Sequence, residues 1–188
     1  MKKNFGAKAV ITPLPVLIIA TYNEDGTPDA MNAAWGGQCG AKHIALNLGP
    51  SHATTENIIR NQAFTVSFAD KKHLTASDYV GLVSAKTEKN KLEKAGLHAE
   101  KSEFVNAPVI TDYPLTIECR VVSVREELGE MRVVGEVVNL SADESVLDES
   151  GNVDIGKVEA LVYDSPSHGY RVVGERVGNA FKDGLALK

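Results

Sequence analysis

Cysteine is nearly absent from the chain: Cys39 and Cys119 are the only two among 188 residues. They form no C-x-x-C pair, and nothing around them has the spacing of a zinc site, so a disulfide scaffold and a zinc ribbon are excluded. Aromatic residues are also scarce, at 6%, with Trp35 the single tryptophan. No apolar run approaches the ~20 residues that a membrane helix needs. Pro13 and Pro15 interrupt the chain before Val16, so no secretory h-region forms, and a cytoplasmic protein is expected. A basic stripe is missing too. Lys and Arg number 20 against 25 Asp and Glu, the net charge is −5 and the isoelectric point is near 5.6. Such a chain offers nucleic acid or an anionic lipid surface no electrostatic attraction, and neither is expected as a partner. His43, His52, His73, His98 and His168 never fall at H-x-x-x-H spacing, and no metal site is expected. G-x-G-x-x-G, a P-loop and G-x-S-x-G are all lacking, which leaves a Rossmann dinucleotide site or a nucleotidase nothing to stand on.

What is present is globular. The chain is 43% hydrophobic and 24% charged, and its length fits one domain over residues 1–188 that hides roughly 70% of its unfolded surface. Val16-Leu17-Ile18-Ile19-Ala20 reads as a strand buried on both faces. Asp25-Gly26 follows as a hairpin signal, because glycine accepts positive φ without a Cβ clash. The returning strand is expected from about Ala30 to Trp35, and another from His43 to Leu48, stopped by Gly49-Pro50. Thr54 to Asn61 reads as a short helix capped by Thr54 or Thr55. Phe64 to Phe68 alternates like a half-buried strand. Thr75 to Asp78 resembles a capping box opening a helix to about Val83, and a charged segment from Glu88 to Ala95 ends at Gly96. Leu115 to Val121 alternates, then slips phase at Val122 and Val124, which predicts a bulge. Met131 to Leu140, Leu161 to Tyr163 and Tyr170 to Val173 are the remaining strands, with an acidic surface loop from Ser141 to Asp154. Strands outnumber helices and are joined by hairpins, so a mainly β fold, an open or closed Greek-key antiparallel barrel with α additions, is expected.

Two places invite chemistry. In Gly49-Pro50-Ser51-His52-Ala53-Thr54-Thr55 a strand ends, a hydroxyl-rich turn follows and a helix begins. Free backbone N–H groups and the helix dipole suit an anion there, and Ser51, His52, Thr54 and Thr55 add donors; the same residues equally suit an ordinary helix cap. In Ala30-Met31-Asn32-Ala33-Ala34-Trp35-Gly36-Gly37 a strand ends in small residues. A flat ring could lie along that backbone, with Asn32 offering a donor and an acceptor; alternatively Trp35 is a core anchor and Asn32 a turn residue. Lys86 and Lys89 read as a solvated helix face, and Cys39 as a small core hydrophobe.

These segments, in their order, resemble the flavin reductase-like, FMN-binding split-barrel family, and within it the flavoredoxin branch. The likeness rests on Pro13-Leu14-Pro15-Val16, Asp25 through Gly37, Ser51 through Ile58, Asp78 through Ser84, Lys91 through Leu97 and Gly169 through Phe181, and so spans nearly the whole chain. It implies a homodimer of six-stranded split barrels, each holding one FMN near the dimer interface. By position, Asn32, Ala33, Ala34 and Trp35 would line the flavin ring, and the backbone at Leu48 and Gly49 would face its pyrimidine edge. Ser51, His52, Thr54 and Thr55 would hold the phosphate, with Ser84 and Lys91 completing the cradle. Two departures stand out. Ala53 occupies a position where many relatives carry a lysine or arginine, which would leave the phosphate to Thr54, Lys91 and backbone N–H groups. Met131 occupies one where relatives often carry a histidine on the nicotinamide side. The resemblance implies an NAD(P)H-dependent flavin reductase taking a hydride from NADH or NADPH; the alternative is a flavoredoxin-type electron carrier, reduced by a partner protein. No catalytic side chain is implied, because the redox chemistry belongs to the cofactor.

Overall fold

The computed structural model describes residues 1–188. Its strands are β1 (Leu14–Pro15), β2 (Leu17–Tyr22), β3 (Pro28–Ala33), β4 (Gly36–Gly40), β5 (His43–Leu48), β6 (Ala63–Phe68), β7 (Ala99–Lys101), β8 (Pro108–Ile110), β9 (Leu115–Glu127), β10 (Glu130–Ala142), β11 (Leu161–Asp164) and β12 (Gly169–Val172). Helix α1 (Ala53–Asn61) connects β5 to β6; α2 (Leu74–Leu82) and α3 (Lys91–Ala95) follow β6, and α4 (Ile155–Val158) precedes β11. No helix is long and apolar enough to cross a membrane.

Seven segments hydrogen-bond antiparallel in the order β3-β2-β6-β9-β10-β5-β4. β3 and β4 are the two edges of this ladder, yet only Ala34 and Trp35 separate them in the chain. They are therefore one bent strand, which pairs with β2 through its first half and with β5 through its second. The Asn47 N–H donates to the Trp35 carbonyl at 2.8 Å and stitches the bend. The sheet closes on itself as a six-stranded antiparallel barrel, the mainly β architecture expected. Its order is Greek-key, since β5 and β6 are consecutive along the chain but not adjacent in the ladder.

The expected phase slip is real. Val134 pairs with Ser123 and Gly135 with Val121, so Val122 is an extra residue; a second slip leaves Val138 unpaired on β10. The two bulges coil a pair of 13-residue strands around the barrel. Their hairpin turns at Leu128 and Gly129, both with positive φ, 55° and 84°, as a tight primed turn requires.

Three expectations change. β6 is buried on both faces through Ser67 rather than alternating, because its outer face is covered: the Thr65 hydroxyl donates to the Pro108 carbonyl of β8 at 2.6 Å. The capping box at Thr75–Asp78 does not form, because the helix already begins at Leu74; Asp70 accepts from the His73 N–H at 2.7 Å instead. The acidic loop is shorter than expected, since β10 continues to Ala142 and a 3-10 turn, Glu144–Val146, buries Val146.

The barrel interior packs Leu17, Ile19, Leu46, Phe64, Val66, Cys119 and Val133. Ile58 of α1 joins this cluster, so α1 plugs one end of the barrel. A second cluster lies on the outer face of β2 and β3, where Val16, Ile18, Ala20 and Ala30 meet Val80 of α2 and Leu92 of α3. Gly96 ends α3 in the left-handed region, φ 69°, as its sequence position predicts. The leading half of β3, at Asp29, is held between the beginnings of α1 and α3, and that arrangement makes the site.

Candidate functional site

A trough runs along β3 and around its bend. One end is a cavity of about 270 Å³ between the start of α1, the α2–α3 connection and β3, lined by Asp29, Asn32, His52, Thr54, Ser84 and Lys91 among others. The other end, about 350 Å³, is lined by Ala33, Ala34, Trp35, Asn47, Leu48, Gly49 and Glu130. Met31, Asn32 and His52 line both, so the two are continuous.

The α1 end is built for negative charge. Position N-cap is His52, in extended conformation, and its side chain makes no capping hydrogen bond. The first helical bond runs from the Glu56 N–H to the His52 carbonyl at 3.2 Å, and no acceptor within the chain meets the N–H groups of Ala53, Thr54 and Thr55. A helix normally satisfies such donors with a Ser, Thr, Asp or Asn cap. Here they are left for another acceptor, at the positive end of the helix dipole. Beneath them lies Asp29, 1% exposed. Its Oδ2 accepts from the Thr54 hydroxyl at 2.9 Å, and Lys91 Nζ lies 2.9 Å from its Oδ1. No directed hydrogen bond reaches Oδ1; the ammonium compensates it by charge. Lys91 is itself 3% exposed, and it lines the trough. A buried carboxylate thus fixes one lysine and the first turn of one helix at the same spot. Lys86 straps this end shut: its Nζ reaches the Ser51 carbonyl at 2.9 Å and Glu56 Oε1 at 2.7 Å. α1 cannot drift, because Asn57 Nδ2 donates to Thr21 Oγ1 and Asn23 Oδ1, and Asn61 Nδ2 to the Tyr22 carbonyl.

The other end is a platform. Asn32 donates its amide to the Ser77 carbonyl at 3.0 Å and, more weakly, to Tyr170 Oη at 3.5 Å. Tyr170 in turn donates to Asp78 at 2.8 Å, and burial together with the Asp78 charge pushes its phenol up to about 12, so it stays a neutral donor. With its nitrogen held by α2, Asn32 has its carbonyl oxygen free to accept. Gly81 makes this contact possible, since a Cβ there would sit 2.9 Å from the Asn32 Cβ. Trp35 is 59% exposed. It is a rim residue rather than a core anchor, which decides between the two readings of that segment.

Ten of the twelve residues expected at the site line the trough: Asn32, Ala33, Ala34, Trp35, Leu48, Gly49, His52, Thr54, Ser84 and Lys91. Ser51 and Thr55 do not. Ser51 is exposed outside it and lends its carbonyl to Lys86; Thr55 is fully buried and donates its hydroxyl to the Gly49 carbonyl at 2.9 Å. Thr54 also changes role, for its hydroxyl proton is spent on Asp29, leaving its backbone N–H as the donor to the trough. Neither threonine is the N-cap. Asp29, Asn47, Glu130 and the Val80–Val83 stretch lie in the site without having been singled out. For Asp29 a signal existed: it pairs across the hairpin with Thr21, itself 0% exposed, so the strand parity that buries one buries the other. Met131 lies outside the trough, while its neighbour Glu130 faces it.

The arrangement accommodates a phosphomonoester at the α1 end and a flat ring at the bend. The class it defines is the FMN-binding split barrel: a six-stranded antiparallel barrel with an uncapped helix start beside a small-residue strand. A model of the flavin reductase like domain matches residues 10–168, and the chain belongs to that family. Flavoredoxin of Desulfovibrio vulgaris (Miyazaki F) is 33% identical and superposes with a TM-score of 0.93, covering 98% of this chain and 100% of that one. Flavoredoxin from Methanosarcina acetivorans is 29% identical with a TM-score of 0.88, covering 100% and 98%. An FMN-binding protein from Thermus thermophilus, at 16% identity and a TM-score of 0.77 over 95% of this chain and 99% of its own, shares the fold.

Proposed function

We propose that the chain binds FMN in this trough and serves as an oxidoreductase, passing electrons from NADH or NADPH to an acceptor. The observation that carries the reading is the uncapped start of α1 above the Asp29–Lys91 pair. A phosphate would receive the N–H groups of Ala53, Thr54 and Thr55, the Lys91 ammonium and the Ser84 hydroxyl. Flavoredoxins of two organisms and an FMN-binding protein among the structural relatives support the same cofactor. Bound FMN supplies two-electron hydride chemistry at its ring. The chain's share would be placement: the small side chains of Ala33 and Ala34 would leave room for the ring at the bend, Trp35 would shield one edge, and the Asn32 oxygen would accept from a ring N–H. Residues that held the ring still would contribute proximity and orientation, with no side-chain base required.

A second reading is favoured by Met131 and by the flavoredoxin relatives: a carrier with tightly held FMN, reduced by a protein. Anaerobic mixing of the FMN-loaded protein with NADH separates them. Rapid loss of flavin absorbance supports the reductase, and an unchanged spectrum the carrier. Failure to hold FMN at all rejects both.

The homodimer is proposed on two features. At the end opposite α1 the barrel opens as an apolar mouth of about 710 Å³ between Leu17, Ile44, Leu46, Val66, Phe68 and Ile117. The N-terminal arm and the tail leave large apolar groups in water, among them Phe5 at 68%, Val177 at 92% and Phe181 at 100% exposure. A second copy would cover them. Sedimentation equilibrium at a dimer mass is expected; a monomer at micromolar concentration rejects it.

A further inference from the structure

Behind Trp35, on the outer side of the barrel wall, the ring end of the trough adjoins a further cavity of about 640 Å³, most of whose lining the flavin reading leaves unused. The β4 backbone at Gly36–Cys39 forms its floor, β11 and the turn after it one wall, and the extended arm through Ala9 and Ile11 the other. In a chain of net charge −5, no Asp or Glu lines it, while Arg132 and His168 do. The Arg132 guanidinium makes no hydrogen bond within the chain; the nearest carboxylate oxygen, of the 58% exposed Glu127 side chain, is 3.9 Å away, which leaves the fork open. His168 Nδ1 is held by Tyr163 Oη at 3.0 Å, and its Nε2 has no hydrogen-bond partner within the chain. Ser165 Oγ is buried and without a partner, a condition native proteins avoid unless something else supplies the bond. Trp35 and Tyr163 supply aromatic walls.

We infer that this cavity binds a small planar aromatic carboxylate. A guanidinium fork recognises a carboxylate by two parallel N–H bonds. The aromatic side chains and glycine backbone fit a flat ring, and Ser165 and His168 complete the polar set. Because the cavity shares Ala34, Trp35 and Asn47 with the ring end of the trough, the bound molecule would lie against the far side of Trp35 from the cofactor. That makes it a docking place for a small-molecule reaction partner, a step that rests on the flavin reading; the binding itself does not.

The test is calorimetric titration with benzoate, and with benzamide as its uncharged counterpart, into both flavin-free and FMN-saturated protein. Trp35 emission, the chain's only tryptophan signal, is followed in the flavin-free form. Benzoate is expected to bind saturably in both forms and to shift Trp35 emission, with benzamide weaker by about tenfold. Arg132→Gln should remove about tenfold in benzoate affinity and the preference over benzamide while leaving FMN affinity unchanged, and Arg132→Lys should recover only part. Equal affinity for the two probes, an unaltered Arg132→Gln, or benzoate binding that FMN abolishes would overturn the inference, the last by locating benzoate in the trough. If FMN fails to bind but benzoate behaves as described, the flavin reading falls and the cavity assignment stands.

Discussion

At the α1 end of the trough Asp29, Thr54 and Lys91 are 1%, 2% and 3% exposed, whereas at the β3–β4 bend Trp35 is 59% exposed. The first end holds charges the chain has already desolvated and paired; the second holds small residues and a rim. The difference follows from what each could receive. A dianion is stabilised by donors whose orientation is fixed before it arrives. A flat ring needs area and access. The largest expected effect breaks the first end. Asp29→Asn leaves the Lys91 ammonium buried without its counter-charge and should destabilise the protein by about 3–5 kcal/mol in urea unfolding. The double variant Asp29→Asn with Lys91→Met should recover most of that loss. A single variant costing under about 1 kcal/mol would mean that the pair is solvated and the contrast between the ends is false.

The bend should respond differently. Gly81→Ala forces a methyl against Asn32 and should cost about 1–3 kcal/mol, since helix and strand backbones must part, and it should weaken binding of the ring. Trp35→Ala should leave unfolding within about 0.5 kcal/mol of the parent, as expected for an exposed side chain. If the ring lies there, it should weaken FMN and riboflavin by a similar factor. Lys91→Met with Asp29→Asn should instead weaken FMN and leave riboflavin nearly unaffected. Fluorescence titration with the two flavins reads both, and equal losses at the two ends would erase the distinction between them.

Much of this was legible beforehand, and the boundary is physical. The strand read at Val16–Ala20, the bulge at Val122 and the Gly96 terminus are local: run length, phase and positive φ decide them within a few residues. The choice between cap and anion site at Thr54 was not local, because it turns on whether the hydroxyl points at its own helix or at Asp29, 25 positions earlier. Asp29 stood within a recognised segment, but its burial depends on α3 delivering Lys91 from the other side. Closure of the barrel was similarly hidden, since Ala34-Trp35 looks like the end of a strand until β5 is seen to pair with its continuation. The cavity at Arg132 joins β4, β10 and the β11–β12 turn, three segments with no sequence spacing to connect them.

The smallest effect contrasts the ring side with the barrel interior through its two thiols. Cys39 is exposed on β4, while Cys119 is 0% exposed within the barrel. Burial, with the neighbouring Glu118 charge, pushes the Cys119 thiol up to about 12. The thiolate is the reacting form. At pH 8 an ordinary thiol is thiolate to roughly a quarter, but Cys119 only to about one part in ten thousand, and no reagent reaches it without opening the barrel. Brief alkylation at pH 8 should therefore reach the exposed Cys39 and leave Cys119 unmodified. Mass spectrometry after brief iodoacetamide treatment should find a single label on the native chain, at Cys39, and two on the chain in denaturant. Native labelling at Cys119 would show that the barrel opens locally at β9, and the rigid wall on which the trough is built would have to be abandoned.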